Sequence, residues 1–185
     1  MVGPQKWDLI IVGSGAGGLV LALELAKKGL QIAILDRQSH PSSLPRGRLS
    51  SRTASVFSID SAFFRNFSPS NIYQNERVDF FQTNGPLLCT IDYRLLPPPY
   101  SYSLILLPQV VQDLFLKKID QTSNISLFWG TTFQGFVYEG TKRTGVEVES
   151  NGENTTLRAP VVVGGDGVRS AIRTALQIRA SGSSI

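Results

Sequence analysis

Residues 8–36 read DLIIVGSGAGGLVLALELAKKGLQIAILD. The β-branched run that starts at Trp7 ends on Gly13, as a buried parallel strand should. Helix formers follow over 16–28, with Lys27 and Lys28 in the expected last turn and Gly29 as the stop. Residues 31–35 are a second apolar strand, so the stretch is a β-α-β unit. Gly13, Gly15, Gly17 and Gly18 break it as a membrane span, and Glu24, Lys27 and Lys28 interrupt its apolar character. Asp8 stands where a secretory signal would carry positive charge. The glycine spacing has a mechanism. Gly13 permits the tight turn, Gly15 lets the backbone approach a diphosphate, and Gly18 lets the helix pack against the strand. Ser14, Ala16 and Gly17 complete the loop. The helix N-terminus offers free N–H groups to the anion. Asp36 follows Gly18 by 18 residues, where a carboxylate accepts from ribose hydroxyls.

Further along, residues 38–50 read as a Ser/Pro/Arg-rich loop and 51–65 as a helix with Val56, Phe57, Phe63 and Phe64 on one side. Residues 77–83 and 87–93 flank Asn84-Gly85 and predict a hairpin. Pro97, Pro98 and Pro99 form an extended linker, and 101–107 a strand. Pro108 opens a helix to about 121 that buries Val110, Val111, Leu114, Phe115 and Ile119. Short strands are expected at 125–129, 132–139, 144–149 and 154–158, with a turn at Asn151-Gly152. Residues 161–164 (VVVG) are expected to be a fully buried strand, followed by a glycine turn and a helix over 168–176. The small, polar tail 179–185 is expected to be disordered. The fold class is therefore α/β: a Rossmann-like sheet interrupted by an antiparallel insertion.

The second glycine turn, Gly164-Gly165-Asp166-Gly167, leaves a strand at the sheet edge where open α/β folds bind ligands. Asp166 reads either as an acceptor for ribose or ribityl hydroxyls or as an N-cap of the helix behind it. Taken together, GSGAGG, Asp36-Arg37 and GGDGVRSAIR resemble the FAD-dependent aromatic hydroxylases, the para-hydroxybenzoate and ubiquinone-biosynthesis hydroxylase type. The resemblance runs from residue 8 to about 178. It implies FAD as cofactor and NAD(P)H as electron donor. The FAD contacts it implies are Gly13, Ser14, Gly15, Ala16, Gly17, Gly18, Asp36, Arg37, Gln109, Asp166 and Gly167, with Arg46 and Arg48 both in the window of a flavin-contacting arginine. Ser170 and Arg173 also fall on signature positions of the second motif.

The same resemblance makes residues 1–178 the FAD-binding domain, with 77–107 the first strands of a substrate-domain sheet. A third family motif, Gly-Asp with ribityl-contacting aspartate, has no match in this chain. The expectation is an N-terminal portion, inactive alone, completed by self-association or a partner chain across an apolar face carrying Phe80, Phe81, Leu104 and Leu106. No catalytic side chain is assigned, because the cofactor carries the redox chemistry. The substrate expected is a small aromatic or similar molecule, and the compartment the cytoplasm. The alternatives are a non-catalytic FAD-binding remnant, or a halogenase or geranylgeranyl reductase relative. A plain NAD-dependent dehydrogenase would instead place a third parallel strand soon after Asp36.

Composition narrows the rest. The 185 residues are 42% hydrophobic and 17% charged, with 17 glycines and 10 prolines, which excludes a disordered or fibrous chain. Cys89 is the single cysteine, so no internal disulfide forms, and it is expected to be buried in its strand. His40, the single histidine, is expected to be an exposed loop residue, and a His-rich metal site is excluded. A net charge of +4 with twelve arginines suits phosphate. The Arg37, Arg46, Arg48 and Arg52 group lacks any nucleic-acid fold signature, and Ser14, Ser50 and Ser51 lack a Ser-His-Asp setting. The Asn-x-Ser/Thr triplets at Asn66, Asn124 and Asn154 are read as incidental.

Overall fold

Four parallel strands form one sheet: β1 (Leu9–Val12), β2 (Ile32–Leu35), β7 (Ile125–Phe128) and β11 (Val161–Gly164). The computed structural model describes residues 7–41, 72–98, 100–106 and 108–179. The chain divides into two compact units, one of residues 1–43 with 112–185, the other of 44–111.

In the first unit the sheet order is β11-β1-β2-β7. Helix α1 (Ala16–Ala26) connects β1 to β2. It stops two residues earlier than the lysines suggest, with Lys27 as C-cap. Asn124 Nδ2 ties off the end of this connection, donating to the carbonyls of Ala26 at 3.0 Å and Leu30 at 2.8 Å. β7 joins beside β2 only after the whole second unit has been traversed, which is not the dehydrogenase order. All eight residues of β1 and β2 are buried, so the two central strands are covered on both faces.

One face of the sheet packs on a three-stranded antiparallel sheet made of β8 (Thr131–Glu139), β9 (Lys142–Ser150) and β10 (Glu153–Arg158). Their shared core holds Trp7, Ile10, Val12, Ala33, Leu35, Phe133, Val146, Val148, Ala159 and Ile172. The period-2 alternation of β1 therefore sends Ile10 and Val12 one way and Leu9 and Ile11 the other. Ile11 meets α1: a Cβ on Gly18 would stand 3.2 Å from its Cγ2. Asn151 and Gly152 both have positive φ, 55° and 82°, as a two-residue hairpin between β9 and β10 requires. Helix α2 (Pro108–Asp120) buries Leu114, Phe115, Leu116 and Ile119. Helix α3 (Ala171–Ala175) is shorter than the expected 168–176, because residues before Ser170 turn instead of coiling.

The expectation that 161–164 is fully buried is wrong. Among the described residues β11 pairs only with β1 and forms the sheet edge, and Val161 is 50% exposed.

In the second unit β4 (Arg77–Phe81) and β5 (Leu87–Asp92) form the expected hairpin. Its loop spans 82–86, closed by Gly85 N to Gln82 O at 2.9 Å and Gln82 N to Pro86 O at 3.1 Å, with Asn84 alone left-handed. One face is polar: Arg77 and Thr90 both donate to Asp79. Arg94 donates to Asp92 and holds that carboxyl down at about 2. Cys89 is exposed, not buried as expected, and so are Phe80, Phe81, Leu87 and Leu88. A strand's apolar face is buried only where another layer covers it. β3 (Ile72–Asn75), absent from the sequence reading, pairs antiparallel with β6 (Ser103–Leu106). The expected helix at 51–65 and most of the tail 179–185 lie outside the described residues. Among the described residues no helix is long and apolar enough to cross a membrane.

Gly18 and Gly17 give an internal comparison. A Cβ at Gly18 would sit 2.5 Å from the Gly13 carbonyl oxygen, whereas at Gly17 it meets nothing within 4 Å. Gly18→Ala is expected to destabilise the chain by about 3 kcal/mol, since backbone must move. Gly17→Ala should be neutral or stabilise by up to about 1 kcal/mol through helix propensity. Denaturant unfolding of both variants checks this, and equal effects would contradict the packing described.

Candidate dinucleotide site

β1 ends on Val12, and Gly13 turns the chain with φ +106°. A side chain there would be strained by that φ and would also strike the other glycine turn. Its Cβ would lie 2.4 Å from the Gly165 carbonyl oxygen and 2.8 Å from the Asp166 Cα. The turns are also bonded: Gly165 N donates to Val12 O at 2.7 Å. Two loops from opposite ends of the unit thus meet backbone to backbone at one sheet edge.

Asp36 joins them from β2. Its Oδ2 accepts from Ser14 N at 2.9 Å and from Ser14 Oγ at 2.5 Å, and its Oδ1 accepts from Gln38 N at 2.9 Å. Gly13 N donates to Leu35 O at 2.7 Å. Asp36 therefore holds the first glycine loop against the end of β2. Ser14 is 1% exposed, and all three of its polar groups are engaged, since its carbonyl accepts from Gln112 Nε2 at 3.3 Å.

Gly15 is the N-cap of α1, with no side-chain hydrogen bond to the helix start and no acid in the first turn. Gly15 and Gly17 are exposed, and a Cβ on Gly15 would have one neighbour, Gly165 O at an ordinary 3.7 Å. The first-turn N–H groups and the macrodipole are open to an anion.

Asp166 does two things at once. Its Oδ2 accepts from Ala171 N at 2.6 Å and Ile172 N at 3.2 Å, which caps α3. Its Oδ1 is buried and has no hydrogen-bond partner. Ser170 is the formal N-cap, accepting from Arg173 N at 2.9 Å, and Arg173 Nη2 donates to Val168 O at 2.6 Å. Both therefore shape the turn, which Gly167 passes with φ +79°.

Gly13, Ser14, Gly15, Ala16, Gly17, Gly18, Asp36, Asp166 and Gly167 thus share one edge of the parallel sheet. Arg37 follows Asp36 and is exposed. Arg46 and Arg48 lie outside the described residues. Gln109 falls in the first turn of α2. Gln112, which touches the glycine loop, escaped the sequence reading; the available signal was its spacing of one helical turn from Gln109. His40 is exposed, as expected, with Nδ1 2.9 Å from Pro41 O. Among the described residues no group of three or more His, Cys, Asp or Glu could hold a metal.

These features define a dinucleotide-binding α/β unit. The FAD binding domain family matches residues 6–185, and the chain belongs to that family. Among curated relatives, 6-methylpretetramide 4-monooxygenase of Streptomyces rimosus is 26% identical over 166 residues, covering 90% of this chain and 40% of that enzyme. The crystal structure of p-nitrophenol 4-monooxygenase from Pseudomonas putida DLL-E4 superposes with a TM-score of 0.77 at 23% identity, over 97% of this chain and 46% of that one. A myxobacterial chondrochloren halogenase, FAD-dependent, superposes at 0.69 with 18% identity, over 91% and 39%. The chain thus spans between about a third and a half of the length of the relatives it matches.

Substitution of Asp166 tests its capping role. Asp166→Ala loses the cap and is expected to cost about 1 kcal/mol of stability. Asp166→Asn keeps an acceptor for Ala171 and Ile172 and should stay close to the parent. Thermal unfolding of the two variants decides; a fully stable Asp166→Ala would remove the capping role.

Proposed function

We propose that this chain is the FAD-binding portion of an NAD(P)H-dependent flavin monooxygenase acting on an aromatic or similar small organic substrate in the cytoplasm. The observation that carries the reading is the convergence of both glycine turns with Asp36 and Asp166 on one sheet edge. An open helix N-terminus lies beside two carboxylates there, one of which keeps a buried, unpartnered oxygen. This matches the two ends of a dinucleotide. The first-turn N–H groups of α1 take the diphosphate. Asp36 takes ribose hydroxyls with the lone pairs left by Ser14 and Gln38, and Asp166 Oδ1 takes a hydroxyl of the ribityl chain. Arg37, next to Asp36, supplies positive charge near the phosphates; for Arg46, Arg48 and Gln109 the support is the family resemblance alone. When bound, FAD supplies the redox chemistry, taking electrons from NAD(P)H and activating O₂. The protein's own part is binding and orientation. The parts of the relatives that this chain does not span would complete the enzyme, whether they come from the same polypeptide, a second copy or a partner chain.

A halogenase is the second reading, favoured by the fold shared with the chondrochloren enzyme. The two are separated by product in the completed enzyme: with FAD, NADPH, O₂ and a panel of phenols, a hydroxylated phenol supports the first, and a halogenated one formed with added halide supports the second. The chain alone, which spans less than half of these monooxygenase relatives, is expected to release hydrogen peroxide instead of product, because a flavin site left open to water uncouples. Coupled hydroxylation by the chain alone would overturn that expectation.

Cofactor choice is tested by calorimetry. FAD is expected to bind more tightly than NAD, and tighter NAD binding would sink the reading. Gly15→Val is the sharper test. A Cβ there makes only an ordinary 3.7 Å contact in the folded chain, so unfolding should change by no more than the roughly 1 kcal/mol that a poorer N-cap costs. The added methyls occupy the space a diphosphate needs, so FAD binding should be lost. A Gly15→Val chain that bound FAD normally would place the cofactor elsewhere.

A further inference from the structure

We infer that Gln112 is a positioning residue that aims the glycine loop at the cofactor's diphosphate. The inference rests on the proposed FAD site and adds to it a residue outside the glycine turns and the carboxylates.

The geometry starts at Ser14. Its N–H is committed to Asp36 Oδ2 at 2.9 Å and its hydroxyl to the same oxygen at 2.5 Å. Those two bonds fix the peptide before Ser14 and its side chain. They do not hold the plane of the peptide after Ser14, which can still tilt through paired changes in Ser14 ψ and Gly15 φ while Gly15 O stays bonded to Leu19 N at 3.0 Å. Gln112 removes that freedom: its Nε2 donates to the Ser14 carbonyl oxygen at 3.3 Å. In a planar trans peptide the C=O and the following N–H point in opposite directions. Holding the Ser14 oxygen toward α2 therefore turns the Gly15 N–H away from α2. Gly15 has no side chain to resist rotation and caps α1 with no side-chain hydrogen bond to the helix start. It is the member of the loop with most to lose from an unanchored neighbour. Gln112 also reaches the loop from a distant part of the sequence, so its bond links α2 to the end of β1. A Gln amide suits this task because it donates without bringing charge. A Lys or Arg would compete for the diphosphate, and a carboxylate would repel both it and the Ser14 oxygen.

The test uses Gln112→Met, of similar shape without a donor, and Gln112→Glu, of the same length without a donor and with negative charge. Affinities of the full chain for FAD, ADP and adenosine are measured by calorimetry or by displacement of FAD fluorescence, beside thermal unfolding. One neutral hydrogen bond is worth about three- to tenfold in an equilibrium constant. Gln112→Met is expected to weaken FAD and ADP by that factor and leave adenosine, which has no phosphate, unchanged. Gln112→Glu should weaken FAD and ADP further. Equal losses for ADP and adenosine would make Gln112 a general structural residue and overturn the inference. Unchanged FAD affinity in Gln112→Met would overturn it as well. A parent chain that binds no FAD fails at the first step and overturns the site reading itself, which keeps the two failures apart.

Discussion

The first unit depends on one contact between two backbones. At Gly13 and Gly165 the chain has no room for a single carbon: a Cβ on Gly13 would lie inside the Gly165 carbonyl and against the Asp166 Cα. Residue type is dictated here by close approach and by a φ of +106° together. The contact has a topological consequence. β1 lies between β2 and β11, so the chain leaves it for one side of the sheet and returns on the other. A crevice opens at such a reversal, at the carboxyl ends of the strands. The glycine contact holds the two loops together at the end of β1, with Asp36 after β2 on one side and Asp166 after β11 on the other.

Much of this was legible because its causes are local. Gly13, Gly15 and Gly18 state their roles by spacing, and the Asn151-Gly152 hairpin follows from the positive φ that both residues adopt. The failures share a different cause. Val161, Val162 and Val163 are apolar enough for a central strand, but composition says what a strand tolerates, not which neighbours it receives. Here β11 has one. Cys89 fails the same way: alternation assigns it to the apolar face of its hairpin, and nothing in the alternation supplies a layer to cover that face. β3 was missed because Ile72–Asn75 is half polar and finds its partner, β6, beyond an intervening hairpin.

The site residues show a subtler limit. For Asp166 the sequence offered two readings, ligand acceptor or helix cap, as if one excluded the other. A carboxylate has two oxygens, and the fold gives each its own surroundings. Oδ2 caps α3 and Oδ1 stays buried without a partner. The cap is what makes the second oxygen useful, because it fixes the plane of the carboxylate. Asp36 repeats the logic. Motif rules name it for ribose, yet its first partners are Ser14 and Gln38, hydrogen bonds that no spacing rule contains.

This arrangement also resolves an electrostatic conflict in any site that must take a diphosphate close to two carboxylates. Like charges at such distances would repel strongly in a partly buried crevice. The chain answers by surrounding the carboxylates with its own N–H and O–H donors before any ligand arrives. Asp36 receives three such bonds and Asp166 two. Donors on a carboxylate draw its charge back toward the protein. The open N–H groups of α1, which no side chain of the chain caps, remain for an anion. An uncharged hydroxyl can still share the leftover lone pairs on either acid. The glycine loop, held by Asp36 on one side and Gln112 on the other, keeps the two kinds of group apart. On the proposed site, phosphate and hydroxyl would find separate, already oriented partners, and the ordering that binding would otherwise demand of the loop would be met in folding.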